Sequence, residues 1–336
     1  MSAGRILVLR ALGGLGDVLT AVPALKRLRH AYPAAEITYL GLEAVRPVVA
    51  RYPALIDAFL PFPGFPGIVE QPFEAEQLLG FLADRAEAAP FDLAVQMHGS
   101  GSVSNVFAAL IPARRFAGYH VPGLWAPAGS APFPDALREA DRWLSLVEAL
   151  GCRAGDAAPE FPLTDEERAT PRRLGLSPRY ALIHAGASDP KRRWPPERFA
   201  AVATMLARQG HDIVLTGTSN EVPIVAAVEA AMAAPACNLC GKTDLGEMAG
   251  LVAGAALVVT NDTGTAHLAE AFATPSVTIF IASNPARWAA ADRLRHAVVG
   301  QGVPDVPIGA PPHGITPSLP GVEQVLAATT TLMELA

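Results

Sequence analysis

The sequence predicts an α/β protein of two facing domains, each a parallel sheet covered by helices, with a ligand cleft between them. Three observations carry this prediction. The chain has 336 residues, more than one compact core usually fills. Its strands are written as continuous apolar runs, as strands buried on both faces are. These runs alternate with segments of helical periodicity, which implies right-handed βαβ units. Hydrophobic residues make up 51% of the chain and charged residues 17%, so a sizeable core can be buried.

Residues 5–10 read RILVLR and run into the turn Gly13-Gly14-Leu15-Gly16. From Asp17 the apolar residues Val18, Val22, Leu25 and Leu28 recur at helical spacing, and the pattern stops near Tyr32-Pro33. A strand at 37–40, a short helix at 43–50 and a longer one at 73–88 follow, the last ending before Pro90. The strand at 91–96 leads into His98-Gly99-Ser100-Gly101-Ser102, and helices are expected at 103–110 and 136–150. From 151 to 178 the periodicity gives way to Pro, Gly and charge, as in DAAPEFPLTDEER. The first domain is accordingly 1–160, the linker 161–178 and the second domain 179–320. In that second domain strands at 180–184, 212–215, 257–260 and 276–280 alternate with helices at 196–209, 221–233, 245–253 and 266–273. A Pro- and Gly-rich tail at 302–320 precedes a closing helix within 321–336.

Several function classes fall away on composition. A net charge of −6 without a long basic stripe argues against a nucleic-acid partner. The apolar run 6–9 is too short for a signal segment, and no stretch approaches the roughly 18 apolar residues of a membrane span, so a cytoplasmic location is expected. Cys152, Cys237 and Cys240 are too few for a disulfide framework. The CxxC of Cys237 and Cys240 precedes Gly241-Lys242 and has no second pair to complete a zinc site, so it reads as structural and reduced.

Four constellations remain. After the first strand, a dinucleotide fingerprint counted from Gly14 would need glycine where Leu19 stands, so the dehydrogenase reading fails. What stands at that helix N-terminus is Asp17, which can cap the helix, act as a general base, or do both. The second is His184-Ala185-Gly186-Ala187-Ser188, followed by Lys191-Arg192-Arg193-Trp194-Pro195, where small residues and cations suit a diphosphate. The third runs from Thr216 to Glu221, an acid opening a helix where ribose hydroxyls are bound in nucleotide folds. The fourth, VVTNDTGTAHLA, puts Asp262, Thr263, Gly264 and His267 around a strand-to-helix turn that forms an anion site. No D-x-D triplet occurs, so a metal-held sugar nucleotide would lack its usual ligands.

Taken in order, these motifs resemble glycosyltransferase family 9, the heptosyltransferases that transfer heptose from an ADP-sugar in lipopolysaccharide core assembly. The resemblance rests on RILVLRALGGLGDVLTAVPALKRLRHAYPAAEITYL, FDLAVQMHG, WPPERFAAVA, TGTSNE and NLCGKTDLGEMAGLVAGAALVVTNDTGTAHLAEAFATP, which together span most of both halves. It implies a GT-B fold, inversion at the anomeric carbon, an ADP-sugar donor, and neither metal nor other cofactor. Asp17 matches the catalytic base. Ala187, Ser188, Lys191, Arg192, Thr216, Glu221, Leu245, Asp262, Thr263, Gly264 and His267 match the donor side. Gly14, His98, Arg114 and Arg115 are the acceptor candidates, for a glycan or lipid-linked glycan that peripheral contact with the inner membrane would bring within reach of a monomeric enzyme. One departure is that the family's lysine two residues before Trp-Pro is Arg192 here, with Lys191 one step earlier, so either can carry that role. Two other functions stay open on the residues alone, a nucleotide-sugar epimerase and a sugar-nucleotide-binding protein without catalysis.

Overall fold

The computed structural model describes residues 4–306 and 314–335; residues 307–313 of the expected tail, 1–3 of the first domain and 336 of the closing helix lie outside these. The chain divides into two compact units, Met1–Ala158 and Pro159–Ala336.

In the first unit six parallel strands, β1 (Arg5–Leu9), β2 (Glu36–Gly41), β3 (Ala58–Pro61), β4 (Leu93–Gln96), β5 (Phe116–His120) and β6 (Ser130–Pro132), stand in the order β3-β2-β1-β4-β5-β6. The strand β1 pairs with both β2 and β4 and so lies inside the sheet, and Ile6 to Leu9 are all buried, as their unbroken apolar run predicts. The helices are α1 (Leu15–Leu19), α2 (Val22–Ala31), α3 (Arg46–Val49), α4 (Ala75–Glu87), α5 (Ser104–Ala109) and α6 (Glu139–Ala149). The single helix expected from Asp17 to Tyr32 is broken between α1 and α2. Pro23, in the first turn of α2, has no N–H to return to Leu19, so the first turn ends and a new helix starts. Leu7, Leu9, Leu40, Phe62 and Phe107 lie at the centre of one core cluster, with Phe107 edge-on to Phe62 at 5.0 Å.

The second unit has β7 (Tyr180–His184), β8 (Asp212–Thr216), β9 (Cys237–Asn238), β10 (Leu257–Asn261), β11 (Ser276–Ile279) and β12 (His296–Val299), again all parallel, in the order β12-β11-β10-β7-β8-β9. Its helices are α7 (Asp165–Arg168), α8 (Thr170–Arg173), α9 (Pro196–Arg208), α10 (Val222–Ala231), α11 (Leu245–Gly254), α12 (Gly264–Ala271), α13 (Pro285–Trp288) and α14 (Val322–Leu335). The stretch read as linker thus holds two short helices, α7 and α8, which pack on α11. The closing helix α14 packs on α9, β11 and β12 and buries Val325, Thr329 and Leu332. Ahead of it the Pro320 carbonyl accepts from Trp194 Nε1 at 3.0 Å and Arg198 Nη1 at 2.7 Å.

Five strands escaped the sequence reading: β3, β5, β6, β9 and β12. They occupy outer positions of the sheets; β3, β6 and β9 contain no buried residue and β5 and β12 are only partly buried, so they lack the apolar run that marks the central strands. Among the described residues no helix is long and apolar enough to cross a membrane.

The two strand orders are one order: the first, second and third strands run outward on one side, the fourth, fifth and sixth on the other. The reversal therefore lies between β1 and β4 in one unit and between β7 and β10 in the other, and ligands of open parallel sheets bind where the loops diverge at such a point. In the first unit the loop after β4 is held open by Gly101, whose φ is +87°. A Cβ there would come within 2.0 Å of the Tyr119 carbonyl and 2.4 Å of Asn105 Nδ2. Gly101→Ala is expected to destabilise the protein by more than about 1 kcal/mol, seen as a lower midpoint in thermal unfolding by circular dichroism.

Candidate active site

In the second unit every donor-side candidate lies at the C-terminal edge of the sheet. Ala187, Ser188, Lys191 and Arg192 follow β7, Thr216 ends β8, Glu221 follows it, Leu245 opens α11, and Asp262, Thr263, Gly264 and His267 follow β10. Arg192 ties the two sides of the switch point together. Its Nη2 donates to Ser188 Oγ at 2.9 Å, its Nη1 donates to the Asp262 carbonyl at 3.1 Å, and Nη1 stands 3.9 Å from Asp262 Oδ2. Arg193 Nε straps the same loop by donating to the Ala187 carbonyl at 2.8 Å. Lys191 is exposed, and its amide donates to Asp189 Oδ1 at 2.9 Å. Thr263 caps α12, accepting at Oγ1 from the Thr265 amide at 3.3 Å, so the first amides of an eight-residue helix and a guanidinium sit beside one turn.

The loop after β7 is fixed from beneath by Asn261. Its Oδ1 accepts from the Trp194 amide at 3.0 Å, and its Nδ2 donates to the carbonyls of Ala185 at 2.8 Å and Gly186 at 3.1 Å. Glu221 accepts from the Thr218 amide at 2.7 Å and its hydroxyl at 2.9 Å through Oε2, closing a capping box. Its carboxylate lies against Gly186, where a Cβ would meet Oε1 at 2.1 Å. His184 is buried, and burial holds its imidazole below the usual histidine range. Its Nδ1 is 3.2 Å from Thr216 Oγ1, a hydroxyl with no exposure. His267 is buried one turn into α12, with Nδ1 3.9 Å from Glu270 Oε2 and its ring edge-on to Trp288 at 6.3 Å.

In the first unit Asp17 sits in α1, at the C-terminal edge of β1. Its Oδ2 accepts from the Gly14 amide at 3.0 Å, Oδ1 is 3.9 Å from Arg10 Nη2, and the side chain is 22% exposed. Arg10 is completely buried beneath it. The guanidinium donates from Nε to the Asp17 carbonyl at 2.7 Å, from Nη1 to the Met97 carbonyl at 2.6 Å, and from Nη2 to Thr20 Oγ1 at 3.1 Å and Glu139 Oε1 at 3.2 Å. Glu139, on α6 and equally buried, also accepts from Trp143 Nε1 at 2.9 Å and Arg142 Nη1 at 2.6 Å. Across the switch point His98 is buried, its Nε2 is 3.8 Å from Glu70 Oε2, and its Nδ1 has no partner among the described residues. Burial, helped by the charge of Arg10, pushes the His98 imidazole down to about 4.

Residues 87–305 match the sequence profile of glycosyltransferase family 9 (heptosyltransferase). The chain belongs to glycosyltransferase family 9. It is 26% identical over 298 residues to lipopolysaccharide heptosyltransferase 2 of Escherichia coli K12, covering 81% of each protein. A crystal structure of a family 9 glycosyltransferase from Veillonella parvula superposes with a TM-score of 0.79 at 23% identity, covering 100% of this chain and 99% of that one. A structure of the Escherichia coli ADP-heptose lipopolysaccharide heptosyltransferase II gives 0.67 at 22% identity, over 98% and 99%. The fold is thus the GT-B type of these enzymes, and of the three functions left open by the residues the chain has that of a glycosyltransferase.

As a family 9 glycosyltransferase the chain departs from the sequence reading at several side chains. Arg114 and Arg115 precede β5 and so lie at the N-terminal edge of the sheet, opposite the edge that carries Gly14, Asp17 and His98. Arg114 is 69% exposed and faces Asp92 at 3.4 Å. Thr216 has its hydroxyl turned into the sheet rather than toward a ligand. Of the two candidates Lys191 and Arg192, Arg192 reaches the turn at Asp262. The reading missed Arg10, Glu139, Arg142 and Asn261. Their signal was a polar residue closing an apolar strand, as in RILVLR and LVVTN, and a Glu, Arg, Trp set at helical spacing on one face in EADRW.

The folded His98 lies below the unfolded value of 6.5, so between about 6.5 and 4 the unfolded chain binds the extra proton. Its contribution is full above 6.5 and lost as pH falls toward 4, on the order of 3 kcal/mol in all. His98→Asn is therefore expected to flatten the decline of melting temperature across that window, leaving the part contributed by His184 and His296, which are shifted the same way.

Proposed function

We propose that this glycosyltransferase moves heptose from ADP-heptose to an acceptor hydroxyl of the lipopolysaccharide core, in the cytoplasm, with inversion and without a metal. The reading is carried by Asp17, a carboxylate at the switch point of the first sheet that is oriented by the Gly14 amide and Arg10 yet still open to solvent. Such a group can take a proton without first being freed from its partners. The donor is taken from the relatives, whose names speak of lipopolysaccharide heptosyltransferases and of ADP-heptose.

The reaction is a single displacement. The acceptor oxygen gives its proton to Asp17 and forms a bond to the anomeric carbon while the bond from that carbon to the diphosphate oxygen breaks, and ADP leaves with the electron pair. Charge growing on the diphosphate is met by Arg192 and by the amides that open α12. Arg192 can exchange its bonds to Ser188 Oγ and the Asp262 carbonyl for phosphate oxygens, which its planar fork fits bidentately. Glu221, with Oε2 engaged in its capping box, offers its second oxygen to ribose hydroxyls. Among the described residues no group of three or more His, Cys, Asp or Glu is arranged to hold a metal ion.

Asp17→Asn is expected to lower kcat by roughly two to four powers of ten with ADP affinity unchanged; near-normal turnover would remove the assignment. A melting-temperature panel tests the donor side. ADP and ADP-sugars should stabilise the protein where UDP- and GDP-sugars do not. Arg192→Ala should weaken the ADP effect at least about tenfold in affinity, the worth of a charge-assisted hydrogen bond, whereas Lys191→Ala should leave it within about twofold.

A further inference from the structure

We propose that Arg10 and Glu139 are positioning residues for the base: Arg10 fixes the Asp17 carboxylate against the loop after β4, and Glu139 sets how much of the Arg10 charge the base receives. This rests on Asp17 being the base.

A surface ion pair would be worth little, but Arg10 has no exposure and its bonds join three separate pieces of chain. Nε holds the α1 backbone at Asp17, Nη1 holds the carbonyl of Met97 next to His98, and Nη2 reaches Thr20 and Glu139 of α6. The fork is itself held from below, with the Trp143 ring 5.1 Å from its centre. Trp143 Nε1 donates to the same Glu139 oxygen that Arg10 uses. The base therefore cannot shift relative to the acceptor-side loop without moving a buried, multiply bonded guanidinium.

The electrostatics give this arrangement a signature. Around the Asp17–Arg10 pair, the Gly14 amide and Tyr39 on β2 act on Asp17, Glu139 on α6 and His98 after β4 act on Arg10, which follows β1, and Arg142 on α6 stands behind Glu139. Tyr39 and His98 are uncharged at neutral pH, because burial raises the first and lowers the second. The charges are thus two guanidinium groups against two carboxylates, and Glu139 competes with Asp17 for Nη2 of Arg10, at 3.2 Å and 3.9 Å respectively. Neutralising Glu139 leaves Arg10 to Asp17, so the base loses its proton more readily. Neutralising Arg10 removes the positive charge beside the base, so the base holds its proton more tightly. A pair that only fastened α6 to the sheet would lower the melting temperature in both cases and shift neither.

The test uses the full chain and follows ADP release from ADP-heptose, with truncated lipopolysaccharide as acceptor, as a function of pH. Relative to wild type, the acid limb of kcat/KM should move down in Glu139→Gln and up in Arg10→Gln, each by about one pH unit. In Arg10→Gln, kcat should also fall about 100-fold, with Arg10→Lys recovering part of the loss, while stabilisation by ADP stays at the wild-type level in all three. Limbs that do not move, or that move the same way, overturn the proposal. Should Arg10→Gln fail to fold, the direction of the Glu139→Gln limb decides alone. Asp17→Asn separates the two claims: its inactivity with unmoved limbs overturns only the positioning role, whereas its normal turnover removes the base and the positioning role with it.

Discussion

In each sheet an arginine from just beyond the first strand donates to a carbonyl just beyond the fourth. Arg10 reaches the Met97 carbonyl at 2.6 Å in the first unit, and Arg192 reaches the Asp262 carbonyl at 3.1 Å in the second. Parallel pairing of β1 with β4 and of β7 with β10 brings these ends side by side, while the reversal of strand order sends the connecting chains apart. A gap is left into which the carbonyls of Met97 and Asp262 open. The bridging guanidinium closes that gap while keeping polar atoms at its mouth, and the positions of Asp17, His98, Ser188 and Asp262 all follow from it.

The two bridges differ in burial, and the difference separates their chemistry. Arg10 has no exposure and is matched by an equally buried Glu139, so it cannot leave its place without breaking a buried pair. Such a group is fixed and can only orient its neighbours. The Arg192 side chain is 28% exposed and its carboxylate contact is long, so its bonds can be exchanged for those of an incoming anion at little cost. One fold motif is thus fixed in one unit and exchangeable in the other.

What could be read in advance followed burial. The central strands announce themselves because burial on both faces demands unbroken apolar runs, and the loops they feed then carry Asp17, Ser188, Glu221 and Asp262 to the C-terminal edge. The edge strands could not be read, since pairing on one side leaves residues such as Pro61 or Pro132 tolerable and their patterns irregular. Arg114 and Arg115 misled because charge says nothing about which end of a strand it occupies, and the strand that follows them was itself unseen. Arg10 was passed over for the opposite reason. Its charge looked like the boundary of a buried run, whereas a buried acid more than a hundred positions along the chain makes it part of the interior.

The side chain of Asn261 spends both ends of its amide on the loop after β7: oxygen toward the Trp194 amide, nitrogen toward the carbonyls of Ala185 and Gly186. No other residue of that size offers one acceptor and one forked donor in this orientation. Slow hydrolysis of that amide to a carboxylate, the ordinary ageing chemistry of asparagine, would set an oxygen against two carbonyl oxygens at about 3 Å and push the loop off the strand. The loop after β7 therefore hangs on one side-chain nitrogen, shielded from that chemistry by the same absence of solvent that makes Asn261 effective as a tie.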